Sequence, residues 1–409
     1  MGLKALSHLA GRAKRARRVG FPGLAQRFAQ RMYLTTGAAD LSFNLAFDDV
    51  LGDVPSVLPL PARRPDRGVP LRIGWVCTPP ASGSGGHTTL FRMIEALEAQ
   101  GHRCTVLLYD KHGVDVEAAR ARIRANWPRM AADVRDITAA DTVLDAVVAS
   151  GWETVHVIVR YVTRPVRRLY FMQDYEPYFY GHGAERELAE MTYRLPFRRI
   201  ALGEMLESMF VEATGGDCDV VPFGCDAAAY GPPEGEVRRS GIVFFSRPDF
   251  ARRGYQIAVG ALRRFHEQHP EEDIHVFGAA PRGLGVPHTF HGRLTVPQLN
   301  DLYGRTIAGL AMSFTNITLV AEEMLAAGNI PVVNEMDGAH RVLKSPHVRW
   351  AEPVAEALAA ELSAAVTATD IGQRAALAAA SVSNRSWEPT QAAVVRIIED
   401  EVYGERDDD

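Results

Sequence analysis

The sequence is short of cysteine, of long apolar runs and of any dominant charge sign, and each shortage excludes a class of protein. Its four cysteines (Cys77, Cys104, Cys218, Cys225) share no close metal-type spacing. They are too sparse to staple a fold, so a reduced, cytosolic setting is expected. No apolar stretch approaches the roughly 20 residues that a bilayer span needs. A secretory signal is not expected either, because Lys14, Arg15, Arg17 and Arg18 stand where its apolar centre should be. A net charge of -5 gives no broad basic surface, which argues against nucleic acid as a partner. The chain has no Walker lysine after its glycine-rich turn. It also has no clean GxGxxG followed about 20 residues later by a ribose-binding acid, so a nicotinamide enzyme is the weakest option.

What is there is a 409-residue chain, 47% hydrophobic and 23% charged, with enough length for two ordinary cores. Residues 1–70 open as a basic leader, with Leu3, Leu6, Leu9, Phe21, Leu24 and Phe28 set among clustered arginines, and end in a proline-rich lead-in. The leader reads first as a solvated basic helix docked on its own domain. The alternative is peripheral contact of residues 1–35 with an anionic membrane surface, at the inner face of the cell membrane. Leu71–Val76 is then a short apolar run of the kind that forms a buried parallel strand. The turn Gly83-Ser84-Gly85-Gly86, a helix over Thr88–Gln100 and a strand over Cys104–Tyr109 complete a βαβ unit.

The alternation continues to residue 226, with strands expected at Asp145–Ser150, Leu169–Gln173 and Ile200–Gly203. Residues 227–239, with Gly231, Pro232, Pro233 and Gly235, read as a linker. A second alternation fills 240–385, with strands at Ile242–Phe245, Ile274–Phe277, Ile307–Met312 and Ile330–Val333. Residues 386–409 form a last helix and an acidic tail. The fold class is α/β, with two doubly wound, Rossmann-like domains facing across a cleft.

In such sheets ligands gather beyond the carboxyl ends of the strands. Gly85 and Gly86 follow the first strand at a helix start, where free N–H groups and the helix dipole suit a phosphate. Arg247 follows Ile242–Phe245, and Arg252-Arg253-Gly254 opens the next helix, forming a fork suited to a diphosphate. Further on, Glu322 and Glu323 lie early in a short helix that ends at Gly328 before Pro331. Glu323 has the neighbours of a packed position and could accept ribose hydroxyls, while Glu322 is expected to face solvent. Gln173, Asp174, Tyr175 and Glu176 emerge at the end of Leu169–Gln173, where carboxylates and aromatic rings suit an acceptor sugar. The alternative is that Asp174 caps the following segment and Glu176 pairs with Arg186. Asp217-Cys218-Asp219 mimics a metal-binding DxD but reads as turn chemistry.

The stretch Ser313–Val333 resembles the donor-binding signature of the retaining glycosyltransferase family four, a GT-B family. The likeness is closer still to bacterial rhamnosyltransferases of the WsaF type, through Tyr170–Tyr180, Ala189–Arg194, Arg247-Pro248 and Arg252-Arg253-Gly254. The resemblance implies a donor site of Gly85, Gly86, Arg247, Arg253, Asn316, Thr318, Leu319 and Glu323. It further implies Arg247, Arg253, Asp174 and Glu176 as the groups nearest the chemistry. The expected donor is dTDP-L-rhamnose, and the expected acceptor a growing or lipid-linked cell-surface glycan. No metal or other cofactor is expected. Two departures stand out: Thr315 occupies the place of the family's first glutamate, and the loop after it has no glycine. A GT-B nucleotide-sugar epimerase and a non-catalytic glycan- or nucleotide-binding protein are the competing readings.

Overall fold

The computed structural model describes residues 43–404 apart from Val54, Ser82, Ala140, Asp141, Ala227, Ala228, Glu236, Ile317 and Thr318. It also describes Ala25, Phe28, Ala29, Arg31, Met32, Tyr33, Thr35 and Thr36. Most of the basic leader, and Thr318 of the expected donor site, therefore lie outside the described residues. The chain forms two compact units. The smaller comprises Met1–Val50 with Asp110–His112, and its described part includes a single 3-10 turn, Phe47–Asp49. The larger comprises Leu51–Tyr109 and Gly113–Asp409 and holds both sheets.

The first sheet is built from β1 (Arg72–Cys77), β2 (Arg103–Leu108), β3 (Asp133–Asp136), β4 (Ala146–Ala149), β5 (Arg167–Met172), β6 (Arg198–Leu202) and β7 (Asp219–Val221). Their order is β3-β2-β1-β4-β5-β6-β7, and every ladder is parallel. The second sheet has β8 (Ile242–Ser246), β9 (Ile274–Gly278), β10 (Thr289–Phe290), β11 (Ala308–Leu310), β12 (Ile330–Asn334) and β13 (Arg349–Ala351). Its order, β10-β9-β8-β11-β12-β13, repeats the same winding, again all parallel. Each sheet reverses direction of growth once, beside β1 and beside β8. A crevice opens at such a reversal, because the flanking connections leave toward opposite faces.

Helices cover both faces, so the central strands are buried on both sides and read as continuous apolar runs. Trp75, Phe91, Val106 and Phe171 form the first core, which Trp387, Val394 and Ile398 of the last helix (Glu388–Tyr403) complete. That helix thus returns to the first sheet after the second has been built. Where the chain leaves β7 and passes Trp387 only glycine fits, because a Cβ on Gly224 would come within 2.5 Å of the indole. Phe244, Leu262, Phe265, Val276, Leu310, Met324 and Val332 fill the second core. Full burial of each such side chain contributes about 1.5–3 kcal/mol. No described helix is long and apolar enough to cross a membrane.

Candidate functional site

On the first sheet, the helix Gly85–Ala99 starts at the end of β1. Ser84 caps it by accepting from the His87 N–H, and its hydroxyl contacts His87 Nδ1 at 2.8 Å. His87 Nε2 lies 2.9 Å from the Thr78 carbonyl. This fixed turn holds the glycines open toward their surroundings. A Cβ on Gly86 would lie 3.7 Å from the Gln173 side chain, and one on Gly85 would lie 3.9 Å from Leu319. The expected donor residues Gly85, Gly86 and Leu319 are therefore neighbours, and Gln173 joins them.

Glu176 takes a different course from its neighbours. It is 9% exposed, and its Oε2 accepts from the Trp152 N–H (2.5 Å) and the Tyr170 hydroxyl (2.7 Å). Burial, reinforced by nearby Glu153, pushes its carboxyl up to about 8. The expectation that Glu176 lies on an acceptor-facing rim is thus corrected. Its carboxyl faces inward and ties β5 to the start of the helix Trp152–Tyr161. The pairing with Arg186 does not form either, since Arg186 bonds Glu190 at 3.0 Å. Tyr175 is buried as well, its ring packed on Tyr178 and Tyr193. Asp174 turns toward the second sheet, where its Oδ2 accepts from Thr315 Oγ1 at 2.9 Å. Burial raises its carboxyl above the ordinary range, against the pull of Arg252, Thr315 and Arg253.

On the second sheet, Arg247 follows β8 and its guanidinium lies 4.5 Å above the Phe250 ring. Arg252 lies 3.8 Å over Phe179 of the first domain. The Arg253 side chain has no hydrogen bond or ion pair among the described residues, and burial, with Arg252 and Arg247 beside it, lowers its guanidinium to about 10. Arg247 is lowered as well, first by burial and then by Arg252 and Arg293. Four guanidinium groups thus converge on one strand end, and the sequence reading had not included Arg293. Its signal was available, because it follows the edge strand β10 on the same side of the sheet. Gly254 closes the turn with φ +58°, and a Cβ there would meet Met312 and Phe314 at 2.9 Å. The Ser246 hydroxyl and Arg252 Nε, both at this strand end, are buried without a partner. Buried polar groups are normally paired, so such a cluster of donors suits an anion.

The paired acids divide opposite to expectation. Glu322 is 2% exposed rather than solvent-facing, and it forms an ion pair with Arg385. Arg385 also donates to the Phe223 carbonyl at 2.9 Å. Glu323 is half-buried and hydrogen-bonded by Tyr230, and burial raises its carboxyl to about 7. Arg92 and Asp226 lie within electrostatic reach of it and bond each other at 2.5 Å. Asn316 donates to the Gln173 carbonyl at 2.8 Å, so its amide is engaged across the two sheets. Asp219 of the DxD-like turn is held by Arg198 in a two-point ion pair.

Residues 240–363 match the family model of the WsaF C-terminal domain. The O-antigen biosynthesis protein RfbC of Myxococcus xanthus is 28% identical over an alignment of 330 residues that covers 74% of this chain. The match covers 25% of RfbC, so the chain spans about a quarter of the length of the curated relative it matches. Among solved structures, Anabaena HepE in complex with UDP and glucose is similar with a TM-score of 0.61 at 14% identity, over 81% of this chain and 98% of that one. WaaG, a glycosyltransferase involved in lipopolysaccharide biosynthesis, gives 0.59 at 15% identity, over 80% and 99%. Sucrose-phosphate synthase from Thermosynechococcus elongatus gives 0.59 at 14% identity, over 80% and 98%. At these identities the structures speak to fold, and the family model speaks to the second domain. Together they give the chain the GT-B fold and, over residues 240–363, a match to the WsaF C-terminal domain.

Proposed function

We propose that the protein is a retaining glycosyltransferase that moves L-rhamnose from dTDP-L-rhamnose to a growing, lipid-linked cell-surface glycan. One observation carries the reading: four arginines converge at the end of β8, and the carboxylates that act on Arg247 and Arg253 are those of Asp249 and Asp174, fewer than the cations. Cations in excess of their partners in a partly dry site are costly, and a diphosphate would offset that cost through charge-assisted bonds. Arg247 and Arg253 then grip the diphosphate and stabilise the charge that develops as the nucleotide leaves. Glu323 accepts the ribose hydroxyls, and Gly85 and Gly86 let the sugar approach the first sheet closely. The guanidinium groups supply the positive charge that leaving-group departure requires, so the reading takes no metal. An O-antigen relative supports the acceptor class, and the choice of sugar follows from the resemblance to WsaF-type rhamnosyltransferases.

The test is a panel of nucleotide-sugars scored by thermal stabilisation and by transfer to a lipid-linked glycan, with the anomeric configuration of the product read by NMR. dTDP-L-rhamnose should stabilise most, since bound ligand raises stability by mass action. Strong stabilisation by another nucleotide-sugar would move the donor assignment, and stabilisation by none would overturn the transferase reading.

A further inference from the structure

Glu323 stands one helical turn after Leu319, on the face of the helix Leu319–Ala326 that approaches Gly85. Part of its surface stays open, and Arg92 of the helix Gly85–Ala99 acts on its carboxyl. That guanidinium is already engaged by Asp226 at 2.5 Å. The group that bonds the Glu323 carboxyl directly is the Tyr230 hydroxyl. Tyr230 is 5% exposed and is held from several sides. Its N–H donates to the Asp226 carbonyl at 3.0 Å, and the N–H of Gly231 donates to Asn300 Oδ1 at 3.0 Å. Its ring lies 6.2 Å from that of Tyr303, which is fully buried on the helix Val296–Arg305. Pro233 then packs on Gly304 of the same helix, where a Cβ would come within 3.4 Å of it. The docked linker thus fixes the Tyr230 hydroxyl against Glu323.

We propose that Tyr230 makes the site selective for a 2′-deoxyribonucleotide donor, because its hydroxyl takes one of the two Glu323 oxygens that a ribose would need. The inference rests on the donor reading above, in which Glu323 meets the furanose, and deepens it by naming the nucleoside class. A ribose presents two adjacent hydroxyls, and a free carboxylate can accept both, one on each oxygen. A 2′-deoxyribose presents only its 3′-hydroxyl and needs a single oxygen. With Tyr230 in place, one oxygen is what the carboxylate has to offer. The added hydroxyl of a ribose would leave water for an enclosed spot with no free acceptor, since the phenol oxygen belongs to a nearly sealed residue. The arginines cannot make this distinction, because every nucleoside diphosphate carries the same diphosphate. Tyr230 acts through Glu323 and is therefore a positioning residue that sets specificity.

Titration calorimetry near pH 8, where a carboxyl raised to about 7 is ionised, can compare dTDP with ribothymidine diphosphate, which differ only in the 2′-hydroxyl. The wild type should bind dTDP roughly ten-fold more tightly, the scale of one hydroxyl left without a partner. Tyr230→Phe keeps the ring and frees the carboxylate oxygen. It should bring the two ligands within about two-fold of each other by tightening the ribose form, with dTDP affinity unchanged. Equal binding by the wild type, or a preference for the ribose form, overturns the proposal and leaves the donor reading standing. So does a Tyr230→Phe protein that keeps the wild-type preference or weakens for both ligands alike. Glu323→Gln tests the donor reading separately and should weaken both ligands. If it changes neither, Glu323 does not meet the furanose, and the proposal falls with that assignment. A wild type that binds neither diphosphate overturns both.

Discussion

The two sheets are wound alike, but the groups at their ligand-facing ends are in opposite condition. At the first sheet the polar groups are spoken for: Ser84 holds His87, Ser150 donates to the Val76 carbonyl at 2.7 Å, and Glu176 accepts from both Trp152 and Tyr170. At the second, the Arg253 side chain, the Ser246 hydroxyl and Arg252 Nε have no polar partner among the described residues. A satisfied network is already at its energetic optimum and holds a shape. An unsatisfied one stores the free energy that a ligand releases when it completes the bonds. The first end therefore acts as a rigid wall and the second as the place where charge is bound. Asp174 is the exception that joins them, since it belongs to the first sheet but its Oδ1 has no hydrogen-bond partner among the described residues.

The sharpest way to break this comparison is Arg253→Ala. If the second sheet's cations stabilise departing diphosphate, turnover should fall on the order of 10²–10³-fold, as when one transition-state donor is removed. Resistance to urea should not fall and should rise slightly, because an unpaired cation beside Arg252 and Arg247 has been removed. Steady-state kinetics and an unfolding midpoint check the two halves. Unchanged turnover would remove Arg253 from the chemistry, while a large loss of stability would show that it holds the fold instead.

Much of the architecture is legible because parallel strands buried on both faces leave plain apolar runs, as at Leu71–Val76 and Ile242–Phe245. Edge strands are less so: β3 reads Asp-Val-Arg-Asp and is solvated on one side. The helix Trp152–Tyr161 is concealed by Thr154, Val155, Val157, Ile158 and Val159, a strand-like composition that packing overrides by burying most of that segment. The arginines are legible because they stand directly after a strand. The inward turn of Glu176 is not, because its partners come from two other elements. Nor is the Thr315–Asp174 bond, since nothing in local spacing says which loops two domains bring together. The burial of Glu322 was hidden for the same reason, its partner Arg385 lying 63 residues on.

That buried pair gives the second test, because there the second domain balances an enclosed carboxylate with a guanidinium. Arg385→Ala leaves Glu322 enclosed and uncompensated, and should cost about 3 kcal/mol, the low end for breaking a buried ion pair. Burial already holds the Glu322 carboxyl up at about 7 with Arg385 present, so without it the group will bind a proton more readily. The loss should therefore be smaller at pH 6 and grow toward pH 9 in urea denaturation. Adding Glu322→Gln should recover part of it. A flat profile across that range would mean that Glu322 finds another partner.

The smallest effect probes the first sheet, where the network is complete and one member is expected to be uncharged. Glu176 sits among Glu153, Asp174, Tyr170 and Tyr193, and burial raises its carboxyl from the ordinary value to about 8. Because the folded value lies above the unfolded one, folding takes up a proton between them, and stability falls as pH rises through that window. Below the ordinary glutamate range both states are protonated and there is no penalty. Above about 8 the penalty is complete. Glu176→Gln keeps an oxygen that can accept from Trp152 and Tyr170 but removes the titration. The variant should match the wild type near pH 5 and exceed it by about 1 kcal/mol near pH 8.5, a discounted figure because Glu153 shares the electrostatic burden. Donor affinity should not change, because Glu176 bonds the first sheet's own scaffold. If the substitution instead weakens donor binding with no change in the pH profile of stability, the first sheet's network is a binding surface and the contrast between the two ends collapses.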